Sequence, residues 1–182
     1  MDWDVVVVGA GVVGLACAER LARAGLSTLV AERHARFGQE TSSRNSQVVH
    51  AGMYYPTGSL KAALCVRGNA SLYAWCERHG VAHRRVGKYI VAPGPDGEPA
   101  LDAICERGRA NGVARLERVS GARVAADEPA VIAHAALFSP DTGIVDAHEL
   151  MASLAAAARA HGCDFAFEHT LVAAERAGAG WA

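Results

Sequence analysis

The sequence predicts an α/β fold built on a parallel sheet, and three observations carry that prediction. Val5–Val8 is an unbroken β-branched run, as expected of a strand buried on both faces. Six residues of glycine-rich turn follow it, Gly9-Ala10-Gly11-Val12-Val13-Gly14, and open directly into a helical pattern. A second apolar strand pattern, residues 27–32, then closes a βαβ unit of about 30 residues, whose crossover is right-handed in nearly all proteins.

The elements follow in order. Residues 12–24 set small side chains against Glu19, Arg20 and Arg23, and Gly25 stands where a helix ends on a left-handed glycine. After the strand at 27–32 the chain turns polar, ending in "ETSSRNSQVVHAGMYY" at residues 40–55. Ser59 is placed to cap a helix that reaches His79. Leu60, Ala63, Leu64, Leu72, Trp75 and Cys76 recur along it at threes and fours, and Gly80 stops it. "HRRVGKYIVAP" has strand character, "PGPDGEP" is a turn, and residues 99–110 form a further helix ending at Asn111-Gly112. Residues 133–139 suit a strand. In "PDTGIVDAHEL", Asp146 with Glu149 three residues on marks a helix start, and that helix ends near Gly162. "CDFAFEHTLVAAER" supplies one or two more strands. The expected organisation is a first domain over 1–82, part of a mixed α+β domain over 83–145, and a return to the first domain over 146–182.

Composition narrows the function classes. An apolar fraction of 51% supports a packed core, and a formal net charge of −1 provides no general attraction to nucleic acid or anionic membranes. The apolar stretch 5–18 is broken by three glycines and stops at Glu19, too short for a membrane span of ~20 residues. The acidic "MDWD" start is unlike a basic secretory signal. Cys17, Cys65, Cys76, Cys105 and Cys163 are scattered with no zinc spacing, so reduced thiols, a cytoplasmic location and no metal site are expected. Peripheral docking at the inner face of a membrane needs only a modest apolar patch and stays open.

The glycine turn carries specific physics. Gly9 permits the tight turn, Gly11 removes a side chain that would block a pyrophosphate, and Gly14 lets the helix pack on the strand. The anion rests on N–H groups at the helix N-terminus. Glu32, 18 residues beyond Gly14, ends the second strand, where a carboxylate accepts from ribose hydroxyls and repels a 2′-phosphate. The motif serves NAD and FAD alike, since both contain ADP. The following segment favours FAD: Arg33 leads into Thr41, Ser42, Ser43, Arg44, Asn45 and Ser46, a track of short donors and one cation suited to a longer dinucleotide.

The pairing of "GAGVVG" and its acid with "TSSRNSQVVHAGMYY" resembles the FAD-dependent oxidoreductases of the D-amino-acid oxidase superfamily, with a Rossmann-like FAD-binding domain. The continuation "GSLKAALCVRGNASLYAWCERHGVAHRRVGKYIVA" with "DTGIVD" is most similar to the L-2-hydroxyglutarate dehydrogenase/oxidase family. The resemblance implies that Gly9, Gly11, Gly14 and Glu32 hold the ADP part. It also implies that Ser42, Ser43, Arg44 and Asn45 run under the pyrophosphate and flavin, that the Val172 backbone meets the adenine, and that His50 and Gly52 approach the isoalloxazine. Three roles stand open for His50: taking the substrate hydroxyl proton, bonding the flavin or a carbonyl structurally, or covalent flavin attachment. Tyr54 and Tyr55 line a pocket or pack. Arg84 and Arg85 read as a solvated strand start rather than a carboxylate clamp.

The implied activity is oxidation of a small L-2-hydroxy acid, L-2-hydroxyglutarate to 2-oxoglutarate, with a quinone, an electron-transfer protein or oxygen as final acceptor. Similar segments occur in glycerol-3-phosphate dehydrogenase and in glycine and sarcosine oxidases, although Met-Tyr-Tyr after Ala51-Gly52 departs from the glycerol phosphate pattern. A non-catalytic dinucleotide-binding fragment is the reading from another class. The resemblance further implies a truncated, N-terminal portion, inactive on its own.

Overall fold

A computed structural model describes residues 3–178 and 180–181. Two compact units emerge: residues 1–46 with 146–182, and residues 47–145. Residues 47–82, expected in the first domain, fall in the second unit.

In the first unit, β1 (Val5–Val8) leads into α1 (Val12–Arg23) and β2 (Thr28–Glu32). β1 and β2 pair in parallel, Val5 opposite Thr28. The Asp4 carboxylate pins the start of both strands by accepting from Ser27 N at 2.8 Å and Ser27 Oγ at 2.8 Å. A 3₁₀ turn at Thr41–Ser43 closes the segment after β2.

The second unit begins with β3 (Val48–Val49), followed by α2 (Leu60–His79), β4 (His83–Arg84) and β5 (Tyr89–Ala92). Next come α3 (Glu98–Ala110), β6 (Glu117–Ser120), α4 (Gly121–Asp127), β7 (Ala135–Phe138) and β8 (Gly143–Val145). Two antiparallel sheets result, in the orders β3-β8-β4 and β5-β7-β6. The expected single strand at 83–93 is therefore two, broken at Gly87 with φ +74 and serving different sheets. Ala92, Leu101, Cys105, Ala135 and Leu137 form one core cluster; Ala51, Met53 and Val113 form another. α2 belongs here because Tyr73 Oη and Asn69 Nδ2 both donate to the Asp141 carbonyl, at 3.2 and 2.9 Å.

The chain then re-enters the first unit. Asp146 caps α5 (Ala147–Ala160) by accepting from His148 N and Glu149 N at 2.8 and 2.9 Å. β9 (Asp164–Phe167) joins β2 in parallel, giving the order β1-β2-β9, and β10 (Arg176–Ala177) pairs with β11 (Gly180–Trp181) as a small hairpin. Leu15, Ala18 and Ala22 of α1 are buried, as are Met151, Leu154, Ala155 and Ala158 of α5, and the alanines among them let α1 and α5 pack closely. β1 departs from the expectation of burial on both faces: Val6 and Val8 are 50% and 57% exposed. Among the described residues β1 pairs only with β2, and its alternate side chains Val6 and Val8 point to a face that the described residues leave uncovered.

Candidate functional site

The site in the first unit is built on the β1–α1 turn. Gly9 has φ +98, and a Cβ there would meet nothing within 4 Å, so its far side opens to space. A Cβ on Gly14 would lie 2.0 Å from the Gly9 carbonyl oxygen, which makes glycine obligatory for the helix to approach the turn. α1 has no capping side chain of its own, since its N-cap is Gly11. Ser42 supplies the cap from 30 residues away, its Oγ accepting from Val12 N at 3.0 Å. A Cβ on Gly11 would stand 3.0 Å from that Oγ.

Glu32 holds the other side of the turn. Oε2 accepts from Ala10 N at 2.7 Å and Oε1 from His34 N at 2.9 Å. Burial pushes its pKa up, but the two backbone donors, with the charges of His34 and Arg33, outweigh this and leave it below the ordinary carboxylate value. A carboxylate has about four acceptor positions, so each oxygen keeps one for a ribose hydroxyl.

A cavity of about 420 Å³ lies over this turn, lined among others by Gly9, Gly11, Glu32, Arg33, Glu40 and Ser42. Arg33 Nη2 and His34 Nε2 each reach Glu40 Oε1 at 2.7 Å, which balances the second acid at the rim. The remaining wall is Gly38-Gln39 and His169-Thr170-Leu171. Gly38, with φ +70, donates its N–H to the Ala10 carbonyl at 3.0 Å, and a Cβ there would meet Met151. The sequence signal for Gly38 was a glycine after a strand in an otherwise polar run. No comparable signal marked residues 169–171, which reach the cavity because β9 pairs with β2 and Glu168 turns at φ +59.

The cavity thus gathers Gly9, Gly11, Glu32, Arg33 and Ser42 from the sequence-predicted set, with Gly14 beneath them. Ser43, Arg44, Asn45 and Val172 are not on its lining. Ser43 Oγ donates to the Glu40 carbonyl at 2.9 Å and Asn45 Nδ2 to the Ser42 carbonyl at 2.8 Å, which stiffens the turn that presents Ser42. Arg44 is exposed, and Val172 is 93% exposed, one residue past Leu171 of the wall.

His50 and Gly52 lie in the second unit. The His50 carbonyl accepts from Asn69 Nδ2 at 3.1 Å, while Asn111 Nδ2 donates to the carbonyls of Gly52 at 3.0 Å and Tyr55 at 2.9 Å. These three bonds fix the His-Ala-Gly-Met-Tyr-Tyr turn from α2 and from the end of α3. Gly52 takes φ +105 and sits against Val66, whose methyl would be 2.7 Å from a Cβ. Burial lowers the His50 pKa, and the positive charges of Lys88 and Lys61 lower it further, which favours the neutral imidazole over the charged one.

The first-unit residues fit the ADP half of FAD. The glycine turn is open where an anion would rest, Glu32 lines the cavity with acceptor capacity left for a ribose, and the wall includes backbone that could contact adenine. In FAD the group supplies a two-electron acceptor; NAD would call on the same turn.

Comparison with known proteins decides between them. A family model described as FAD dependent oxidoreductase matches residues 4–182. L-2-hydroxyglutarate dehydrogenase, mitochondrial, of Arabidopsis thaliana is 46% identical over 151 residues, 83% of this chain and 31% of that protein. The human protein of the same name is 39% identical over 156 residues, 85% of this chain and 34% of its own length. Reduced, FAD-bound L-α-glycerophosphate oxidase from Mycoplasma pneumoniae superposes with a TM-score of 0.89 at 26% identity, covering 96% of this chain and 47% of that one. Glycine oxidase from Geobacillus kaustophilus, at 23% identity and a TM-score of 0.85 over 98% of this chain and 50% of its own, shares the fold. The chain spans about a third of the length of the curated relatives it matches. With an open glycine turn, an acid at the end of β2 and a family match along nearly all of its length, this chain belongs to the FAD dependent oxidoreductases, and its cofactor is FAD.

Proposed function

We propose that the protein carrying this chain oxidises L-2-hydroxyglutarate to 2-oxoglutarate. The observation that supports this most is His50 on a turn anchored by Asn69 and Asn111, its pKa lowered by burial and by Lys88 and Lys61, in a chain 46% identical to a dehydrogenase named for that substrate. Oxidation of a 2-hydroxy acid removes a hydride from C2 and a proton from the hydroxyl. FAD, when bound, supplies the acceptor for the hydride and its two electrons. His50 takes the hydroxyl proton on an imidazole nitrogen, a task that requires the neutral form. Of the three roles open to His50 we assign this one. Gly9, Gly11, Gly14, Glu32, Arg33 and Ser42 hold the ADP part, with Ser43, Arg44 and Asn45 shaping the track beyond it and the strand end at 169–172 meeting the adenine.

No helix of the described residues is long and apolar enough to cross a membrane. Among the described residues all five cysteines are free thiols, in keeping with a reducing compartment, and we place the enzyme in the cytoplasm. A quinone, an electron-transfer protein or oxygen then takes the electrons. The likeness to the glycerophosphate oxidase supports a second reading, oxidation of glycerol-3-phosphate. Dye reduction by the enzyme at the length of its relatives, tried with L-2-hydroxyglutarate, its D-enantiomer, glycerol-3-phosphate and sarcosine, separates the two. Turnover of the L-hydroxy acid alone supports our assignment, and turnover of glycerol-3-phosphate or sarcosine without it overturns it.

A further inference from the structure

Beside His50, two tyrosines in sequence each carry an ammonium group. Lys61 Nζ stands 4.6 Å from the ring centroid of Tyr55, and Lys88 Nζ stands 4.5 Å from that of Tyr54. The lysines come from separate elements. Lys61 is in the first turn of α2, positioned by the Ser59 cap on Ala62 N at 3.2 Å. Lys88 precedes β5 and is held by paired backbone bonds with Ser139, at 3.1 and 2.9 Å. Among the described residues neither makes an ion pair with a carboxylate. Two arginines of the same unit do: Arg85 stacks on Tyr73 at 3.9 Å and pairs with Asp141, to which Arg115 is also bonded. Two cations without a carboxylate partner among the described residues, each seated on a tyrosine of the turn that carries His50, form a site that an incoming carboxylate would neutralise.

We propose that Lys61 and Lys88, presented on Tyr55 and Tyr54, form a clamp for a substrate carboxylate beside His50. The clamp rests on the reading of the substrate as a 2-hydroxy acid and adds to it the residues that recognise the anion. Tyr54 and Tyr55 belong to the same anchored turn as His50, so the ammonium groups seated on their rings share that turn, and both charges act to lower the His50 pKa. Holding the carboxylate there would orient the neighbouring hydroxyl toward the imidazole. The arginine clamp weighed from the sequence, Arg84 and Arg85, is ruled out for Arg85 by its engagement with Tyr73 and Asp141.

The test uses the FAD-loaded full-length enzyme and glutarate, a dicarboxylate with no hydroxyl to oxidise, whose binding is read from perturbation of the flavin absorption band. Lys61→Met and Lys88→Met, which keep the aliphatic stem, are expected each to weaken glutarate binding roughly 10- to 100-fold, as for loss of a charge-assisted hydrogen bond, and Lys→Arg to restore most of it. In a nuclear magnetic resonance titration each Met variant raises the His50 pKa, and glutarate raises it in the wild type. Unchanged glutarate affinity in both Met variants at full FAD content overturns the clamp. So does a wild-type His50 that titrates identically with and without glutarate, a measurement that needs no variant to fold. An enzyme that turns over L-2-hydroxyglutarate with indifferent Met variants sinks the clamp and leaves the substrate reading standing. Lysine-dependent glutarate binding without such turnover supports the clamp and sinks the substrate reading.

Discussion

At the scale of single residues, space decides more than chemistry. A larger side chain on Gly11 would drive into Ser42 Oγ and, past it, into the cavity, so Gly11→Val is expected to abolish stable FAD retention, checked by the flavin-to-protein ratio after desalting. This much was legible in the sequence, because the G-x-G-x-x-G spacing encodes a turn that only glycine can make. Ser42 was legible only as one of several donors; that its Oγ replaces the missing cap of α1 depends on a contact across 30 residues. His50 carries the pH prediction. Its pKa lies below the ordinary value near 6.5, and the base must be neutral, so kcat/KM rises with pH through that lowered pKa, on the acid side of where an ordinary histidine would place the rise. His50→Asn should lower kcat by about 10²- to 10⁴-fold and remove the acidic limb, checked by a pH profile of dye reduction.

Elements owe their ends to caps and their places to partners. Ser59 and Asp146 cap α2 and α5 as their spacing foretold, and Gly80 closes α2 with φ +67. The two-residue strand β3 escaped notice because nothing in Val48–Val49 marks a strand until Gly143–Val145 lies beside it, and β4 was read as one strand with β5 because the pairing of His83–Arg84 with Gly143–Val145 is a long-range contact. α4 was missed although Ser120 caps it, since seven residues hold too little periodicity to stand out. Val172 fell outside the cavity lining because the left-handed turn at Glu168 sets which residues of the following segment face inward, and an apolar residue pattern does not record it. Asn111 belongs at this scale too, tying the end of α3 to the carbonyls of Gly52 and Tyr55. Asn111→Ala leaves both acceptors without that donor and is expected to cost about 1–3 kcal/mol, checked by denaturant unfolding, with a rise in KM as the His50 turn loosens.

On the whole-molecule scale, a parallel sheet and dinucleotide binding followed from a strand, a turn and an acid within the first 32 residues, and the choice of FAD over NAD from the donor track at residues 41–46 with the family resemblance. The division of the chain did not: the break at residue 46 is set by α2 bonding to the Asp141 loop, a long-range contact that composition does not reveal. The central claim concerns the reaction, and the most direct measurement is anaerobic bleaching of the flavin absorption band in the FAD-loaded enzyme at the length of its relatives. The account predicts full bleaching by L-2-hydroxyglutarate with release of 2-oxoglutarate, and none by the D-enantiomer. A flavin that stays oxidised with L-2-hydroxyglutarate yet bleaches with glycerol-3-phosphate or sarcosine would contradict it.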